Sequence, residues 1–305
     1  MEQLIDGVHI NFDEKSLWIL NFALALVMFG IALEINVTDF KRLLKKPKLV
    51  VTGVACQFLV LPAITFLFVW LTNPLPSIAL GMFMVAACPG GNVSNFFTHL
   101  AKGNSALSVT LTAIATLLAI VMTPFNLGFW GARYEPTALI LREVSISSFE
   151  MIQLVALLLG VPLLLGMLVN HFKKTWAQKM AKAFKIGSLV FFIVLVFLAL
   201  SKNSDIFFDY VLNVFWLVVI HNIIALFTGF SIAKFMGFST ADVRCITIET
   251  GIQNSGLGLL LIFTFFDGLG GMALLTAFWG IWHLVSGLVL SSFWSKRSVE
   301  PKKLV

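Results

Sequence analysis

The sequence predicts an all-α integral membrane protein, and two observations support that fold class. The chain of 305 residues is 59% hydrophobic and 12% charged, and its 30 Phe and 8 Trp residues exceed what a soluble core requires. Its apolar residues also gather in stretches of roughly 20 residues, the length that a helix needs to cross a bilayer core about 30 Å thick. We predict nine transmembrane helices, at residues 16–34, 48–72, 77–99, 104–130, 149–171, 183–201, 207–235, 240–266 and 269–294.

The first predicted helix, 16–34, is expected to stay in the protein. The residues before it are acidic and polar, unlike the basic start of a signal peptide, and no small-residue cleavage site follows them.

Basic residues are distributed unevenly between the loops, and this predicts the topology. Only four of the 21 Lys and Arg residues fall on one side of the nine-helix arrangement: Lys15, Arg133, Arg142 and Lys202. The other side is strongly basic and therefore cytoplasmic. We predict a multi-pass protein of the inner (plasma) membrane with its amino terminus outside and its carboxy terminus in the cytoplasm. The net charge of +6 follows from this bias, so we predict membrane lipid as a partner, with no nucleic acid and no obligate protein partner.

Helix-breaking residues interrupt the third and eighth predicted helices. In helix 77–99 the stretch "CPGGNVSN" removes an amide donor at Pro89 and loosens the backbone at two glycines. In helix 240–266 the stretch "ETGIQNSGLG" has three glycines around a polar segment. A kink explains either break alone, but irregular backbone at membrane depth needs cover from protein or a water-filled cavity.

The order of the two breaks along the chain predicts inverted repeats. The broken helices lie five apart, so they cross the membrane in opposite directions, as in transporters whose discontinuous helices meet near the midplane. Gln57 in the second helix corresponds to His221 and Asn222 in the seventh. Helices one to four then match six to nine, and the fifth has no mate.

Glu249 is the one acidic residue that we place deep in the predicted helices. A carboxylate at that depth is costly, and no Lys or Arg is expected near enough to neutralise it. Its partner is therefore a proton, a cation or one of two histidines, His221 and His283. A hard cation such as sodium fits these surroundings, because hard cations take oxygen ligands and the neighbouring residues offer oxygens.

Several polar residues near the breaks are candidates for these oxygens. Gln253 follows Glu249 by one turn, and the backbone carbonyls freed at the second break lie between them. Ser108 and Thr112 share one face of the fourth helix, although hydrogen bonds to their own helix are an equal alternative. Ser94 and Asn95 end the first break.

The half-helices that begin at the breaks also favour an anionic substrate. A helix amino terminus presents free N–H groups and a positive dipole end. Asn92 and Asn254 stand at these two positions and add side-chain donors.

At these motifs the sequence resembles the bile acid:sodium symporter family. The resemblance is carried by "CPGGNVSN" at 88–95, "GNSALSVTLT" at 103–112, "ETGIQNSGL" at 249–257 and Gln57 in "CQFLVLP", and it extends over nearly all of the chain after residue 15. It implies a sodium-coupled secondary symporter, not an enzyme, which imports an organic anion by alternating access. The substrate is expected to be bile acid-like or a small carboxylate.

The resemblance also implies two cotransported sodium ions and the ligands of each. The first ion would be held by Ser94, Asn95, Ser108, Thr112 and Glu249. The second would be held by Gln57, Glu249, Gln253 and the carbonyls of Thr250 and Ile252. His283, in "WHLVSG" at 282–287, is predicted to contact the substrate together with Asn92 and Asn254.

The family fold implies two domains with the substrate between them. A panel domain would contain 16–34 and 149–201, and a core domain would contain 48–131 and 207–294 with the crossing broken helices. The sequence departs from the family pattern at Leu284, where some relatives have Asn, and at Asn92, where others have Thr. The substrate therefore does not follow from the resemblance.

Two other classes of function remain as alternatives. A proton-coupled exporter of a small anion or metalloid would use Glu249 as proton carrier and Cys88 as thiolate ligand. A membrane-embedded enzyme would need paired acids, a nucleophile with its base, or a metal cluster at depth. Glu249 has no second carboxylate in these helices, which disfavours the enzyme.

Overall fold

A computed structural model describes residues 46–144, 148–181 and 204–297, with scattered residues between 18 and 33 and between 183 and 190. This part of the chain is almost entirely helical. Within it, the only β-type pairing is one isolated bridge between Gly90 and Gln253. The helices from Pro47 onward are α1 (Pro47–Thr72), α2 (Pro76–Ala87), α3 (Val93–Leu100), α4 (Ser105–Gly131), α5 (Glu135–Val144), α6 (148–172), α7 (Ser204–Phe235), α8 (Thr240–Gly251), α9 (Ser255–Phe265) and α10 (Gly270–Ser295).

Five of these helices are long and apolar enough to cross a membrane: α1, α4, α6, α7 and α10. They correspond to predicted helices 48–72, 104–130, 149–171, 207–235 and 269–294. Predicted helices 16–34 and 183–201 lie largely outside the described residues, so the count of nine stays a prediction.

The predicted helices 77–99 and 240–266 are each two shorter helices in the structure. The first divides into α2 and α3 and the second into α8 and α9. At the first break, Cys88 is extended (φ −70°, ψ 153°), the conformation that a following proline favours, and this ends α2. At the second, the chain leaves the helix after Gly251, and Ile252 is extended.

Each of α1 and α6 contains a π-helical turn just before a proline. The turns are Cys56–Val60 and Ala156–Gly160. Pro62 has no N–H to donate to the carbonyl of Phe58, and the side chain of Asn126 on α4 donates to that carbonyl instead (3.1 Å). The π-turn of α1 contains Gln57, whose side chain reaches the first break.

The short helix α5 is absent from the sequence predictions. It has too few residues to cross a bilayer. Tyr134 donates to the side chain of Asn73, and Thr137 donates to the carbonyl of Gly131, so the start of α5 is tied to the ends of α1 and α4.

Most residues of the half-helices α2, α8 and α9 are buried within the bundle, whereas α3 has exposed residues at Phe96 and His99. Helix α8 packs along α7, and α2 packs along α10. Large apolar side chains cover much of the outer surface, including Trp70, Trp216 and Phe227, which are 63–67% exposed. An apolar exterior around buried polar residues is the arrangement expected of a multi-pass membrane protein.

Candidate functional site

The two helix breaks contact each other directly through their backbones. The amide of Gly91 donates to the carbonyl of Ile252 (2.7 Å), and the amide of Asn254 donates to the carbonyl of Pro89 (2.8 Å). These bonds flank the antiparallel bridge between Gly90 and Gln253. Backbone groups that the breaks release from helical bonding are therefore satisfied by the opposite break.

Glycine is required on one side of this contact because the chains approach so closely. A Cβ atom at Gly90 would lie 2.6 Å from Oε1 of Glu249, and one at Gly91 would lie 2.8 Å from the carbonyl oxygen of Gln253. The sequence predicts these glycines only as helix breakers. The contact of Gly90 with Glu249 and that of Gly91 with Gln253 depend on the tertiary structure.

An amide side chain from a neighbouring helix binds the carboxyl end of each first half-helix. Gln57 of α1 donates to the carbonyl of Cys88 (2.7 Å), and Asn222 of α7 donates to the carbonyl of Gly251 (2.8 Å). The two amides precede their targets by 31 and 29 residues. From the sequence, Asn222 is paired with Gln57 but is not predicted as a site residue. The similar spacing of the two amides from their targets is the sequence signal that indicates its role.

Glu249 is buried among hydroxyl groups. Ser94 donates to Oε2 (2.6 Å), Thr112 donates to Oε1 (2.6 Å), and Ser108 contacts Oε2 at 3.2 Å. The residue is 4% exposed. In the part of the chain that the structure describes, these three hydroxyls are its hydrogen-bond partners.

Asn95 completes this cluster of oxygens. Its Oδ1 accepts from Ser108 (2.7 Å) and lies 3.3 Å from the hydroxyl of Thr112. The structure thus brings together all five residues that the resemblance assigns to the first sodium ion. The three hydroxyl protons are shared between the carboxylate of Glu249 and the amide oxygen of Asn95, so the cluster is rich in hydrogen-bond acceptors. Such a group of oxygens suits a hard cation.

Most residues assigned to the second sodium ion also lie together, at the second break itself. Gln57 donates to Oε1 of Gln253 (2.8 Å), and Gln253 donates to the carbonyl of Thr250 (2.7 Å). The carbonyl of Ile252 accepts the amide of Gly91 and keeps a second lone pair. Glu249 belongs to this set by the resemblance, although its hydrogen bonds are to the first cluster.

The three predicted substrate contacts have different surroundings. Asn92 and Asn254 are half-buried and stand immediately before α3 and α9. Oδ1 of Asn254 accepts a hydrogen bond from the backbone amide of Leu257, which leaves the side-chain NH₂ group of Asn254 to donate to a ligand. Asn92 makes no such capping bond. His283 is buried on α10, and its Nδ1 has no hydrogen-bond partner among the described residues.

The cysteines and histidines do not form a transition-metal centre in the described ranges, where no group of three or more His, Cys, Asp or Glu side chains could hold an ion. His221 instead pairs with the hydroxyl of Thr65 (2.7 Å) and packs against Trp279. The polar cluster around Glu249 is made of hydroxyl, amide and carboxylate oxygens, which are ligands for a hard cation.

The structure is helical and apolar outside, and it has buried oxygens where two helix breaks meet. These features are typical of ion-coupled membrane transporters. Comparison with known proteins identifies the family. The Sodium Bile acid symporter family matches residues 21–210, and the chain belongs to this family.

Three relatives illustrate the breadth of the similarity. The chain is 34% identical over 290 residues to the "Uncharacterized sodium-dependent transporter YocS" of Bacillus subtilis (strain 168), covering 94% of this chain and 87% of that protein. It is 28% identical over 284 residues to the "Probable sodium/metabolite cotransporter BASS1, chloroplastic" of Arabidopsis thaliana, covering 92% and 67%. It is 29% identical over 241 residues to the "Ileal sodium/bile acid cotransporter" of Homo sapiens, covering 78% and 67%. All three are named as transporters, in agreement with the predicted transport function.

Proposed function

We propose that this protein is a sodium-coupled symporter that imports an organic anion by alternating access. The observation that carries the proposal is the buried carboxylate of Glu249, which three hydroxyls contact at 2.6–3.2 Å beside the meeting point of two helix breaks. A carboxylate in this position is costly without a cation, and its neighbours supply oxygen ligands for one.

Two sodium ions per cycle are the stoichiometry that the oxygen groups favour. One ion binds Ser94, Asn95, Ser108, Thr112 and Glu249, and the other binds Gln57, Glu249, Gln253 and the carbonyls of Thr250 and Ile252. Two sodium ions and one carboxylate leave a charge of +1. A monovalent organic anion balances this charge, so binding of ions and substrate is mutually favourable.

The substrate carboxylate binds near the amino-terminal ends of α3 and α9. Both half-helices begin at the break contact, and their first-turn amides and positive dipole ends favour an anion. Asn92 and the amide group of Asn254 donate to the substrate, and His283 contributes its Nδ1, which has no partner among the described residues. The substrate class is a bile acid-like molecule or a small carboxylate, as the names of the human and plant relatives suggest for those proteins.

The architecture that fits this cycle has nine transmembrane helices in inverted repeats, with the amino terminus outside and the carboxy terminus in the cytoplasm. The matching breaks and the matching amides of Gln57 and Asn222 support the repeats. A core domain of 48–131 and 207–294 carries the ions, and it moves against a panel domain of 16–34 and 149–201.

Uptake by reconstituted vesicles tests the proposal. Purified protein in proteoliposomes is given a panel of labelled organic anions, with an inward gradient of either sodium or potassium. We expect at least one carboxylate to accumulate above equilibrium with sodium alone. Equal uptake in the two salts contradicts sodium coupling.

A Cys88→Ala variant separates this proposal from a proton-coupled metalloid exporter. Cys88 is fully buried, and its carbonyl, rather than its thiol, takes part in the break contact through Gln57. We expect sodium-driven uptake to persist in the variant. Loss of transport together with metalloid efflux by the unaltered protein favours the exporter.

A further inference from the structure

Arg244 is a buried cation at the amino-terminal part of α8, outside the proposed transport site. Only 4% of its surface is exposed. Its guanidinium donates to the carbonyl of Ala101 (2.7 Å) and reaches the carbonyl of Arg297 (3.4 Å), and it lies 5.8 Å from the centre of the Trp294 ring. It therefore joins the ends of three helices, α3, α8 and α10.

No carboxylate of the described chain neutralises this guanidinium. Asp242 is close in sequence, but its Oδ1 accepts from Asn104 (2.7 Å) and its Oδ2 accepts from Ser239 (2.6 Å). The two carbonyl groups accept hydrogen bonds from Arg244 but carry no net charge. Burial of an ionised group without a counter-charge is costly, and among the described residues this guanidinium has none.

The neighbours of Arg244 add positive charge instead of removing it. Arg297 is close enough for electrostatic repulsion with Arg244, and its own guanidinium lies 4.2 Å from the centre of the exposed Phe293 ring. Lys102 and Lys296 are exposed and follow directly after Ala101 and α10. We call these four cations, Arg244, Arg297, Lys102 and Lys296, the basic cluster.

We propose that the basic cluster binds the phosphate group of an anionic phospholipid. A phosphate accepts several hydrogen bonds from guanidinium groups and supplies the missing negative charge. Phe293 and Trp294 are the aromatic side chains expected at a membrane surface, which places lipid headgroups at the level of the cluster. This inference does not depend on the transport activity, and only the choice of the cytoplasmic leaflet rests on the proposed topology.

Native mass spectrometry of the purified full chain with added phospholipids tests the inference. We expect phosphatidylglycerol to bind at least tenfold more tightly than phosphatidylcholine and to raise the melting temperature. Inorganic phosphate, tested alone, is expected to leave the melting temperature unchanged, because it lacks the acyl chains that the exposed aromatic residues contact. Equal binding of the two lipids, or stabilisation by inorganic phosphate alone, overturns the proposal.

Variants locate the site. Arg297→Gln keeps the backbone carbonyl that Arg244 uses, and we expect it to weaken phosphatidylglycerol binding about fivefold, the effect of removing one cation near an anionic surface. Arg244→Gln is expected to cause a larger loss, with partial recovery in Arg244→Lys. Lys234→Gln is the control, because Lys234 is an exposed cation at the end of α7 beside the ring of Phe230.

Two results of these variants contradict the proposal. If Lys234→Gln weakens lipid binding as much as Arg297→Gln, the attraction is diffuse and no site exists. Glu300 follows Arg297 by three residues and lies outside the described residues. If Glu300→Gln lowers the melting temperature of lipid-free protein as much as Arg244→Gln does, an acid of the chain itself already neutralises Arg244.

Discussion

The two helix breaks perform the same structural task with different chemistry. Each ends a buried half-helix, exposes backbone groups to the other break, and receives an amide side chain from a neighbouring helix. The first break contributes glycines and, just beyond it, the neutral oxygens of Ser94 and Asn95, whereas the second contributes the carboxylate of Glu249. The backbone arrangement is therefore nearly symmetric, but the charge lies on one side only.

This difference shows that two similar backbone breaks can carry different charges. A carboxylate at Gly90, where even a Cβ atom would lie 2.6 Å from Oε1 of Glu249, would repel Glu249 strongly. A single carboxylate can instead face both groups of oxygens. Single substitutions at the two breaks can separate the shared backbone role from the role of charge, and removal of the carboxylate is expected to have the largest effect.

Glu249→Gln removes the charge and nearly preserves the shape of the second break. Loss of one partner from a buried charge pair costs about 3–5 kcal/mol, so sodium binding is expected to weaken more than about 100-fold. The measurements are sodium-driven uptake and the sodium-dependent shift in melting temperature. Glu135→Gln, at an exposed acid of α5, is the control and is expected to leave both unchanged. A full sodium shift in Glu249→Gln would contradict the site.

Gly90→Ala adds one methyl group to the first break, where the carboxylate of Glu249 is nearest. The new Cβ would lie 2.6 Å from Oε1, so either the carboxylate moves or the breaks separate, at a cost of about 1–3 kcal/mol. We expect a lower melting temperature and about tenfold weaker sodium binding.

Gly128→Ala on α4 is the matched control, because a Cβ atom there meets no atom within 4 Å. This variant is expected to be neutral or slightly stabilising, since alanine favours a helix over glycine by about 0.5–1 kcal/mol. Identical thermal and sodium responses in the two alanine variants would show that Gly90 has no special role.

Thr112→Val tests the hydroxyls that face the carboxylate. A hydrogen bond to a charged group contributes about 1.5–3 kcal/mol, so the variant is expected to raise the half-saturating sodium concentration of uptake about tenfold. Ser108→Ala is expected to have a smaller effect, because its contact with Oε2 is 3.2 Å long.

Thr110→Val on the same helix is the control for Thr112→Val. Thr110 is equally buried, and its hydroxyl bonds to the carbonyl of Ala106 in its own helix, as that of Thr112 does to the carbonyl of Ser108 (both 3.0 Å). The half-saturating sodium concentration should not change in this variant. If both valine variants behave alike, loss of helix back-bonding explains the effect and the ligand role of Thr112 is wrong.

Asn222→Ala and Gln57→Ala compare the two amides that hold the half-helices. Each loses a buried hydrogen bond to a backbone carbonyl, which costs about 1–3 kcal/mol of stability. Gln57→Ala should also raise the half-saturating sodium concentration, since Gln57 is a proposed ligand, whereas Asn222→Ala should lower only the melting temperature. Thermal melts and sodium titrations of uptake distinguish the two outcomes, and an equal sodium effect in both contradicts the assignment of Gln57 alone.

Much of this arrangement was accessible from the sequence because lipid imposes simple rules. Apolar length predicts the long helices, and α1, α4, α6, α7 and α10 agree with the predicted ranges. Pro89 and the glycines predict breaks because a proline lacks an N–H group and disfavours helical backbone before it. The short helix α5 and the π-helical turns escaped prediction, because they depend on local contacts such as those of Thr137 and Asn126.

The sequence by itself determined the membrane class, the positions of both breaks and the presence of a carboxylate that needs a partner. These properties depend on composition and local backbone chemistry, which neighbouring residues along the chain set. Only the tertiary structure decided that Gly91 bonds to Ile252, that Gly90 lies against Glu249, and that Asn222 holds Gly251. Such contacts join residues as far as about 160 positions apart, and their geometry depends on how whole helices pack, for which no local pattern exists.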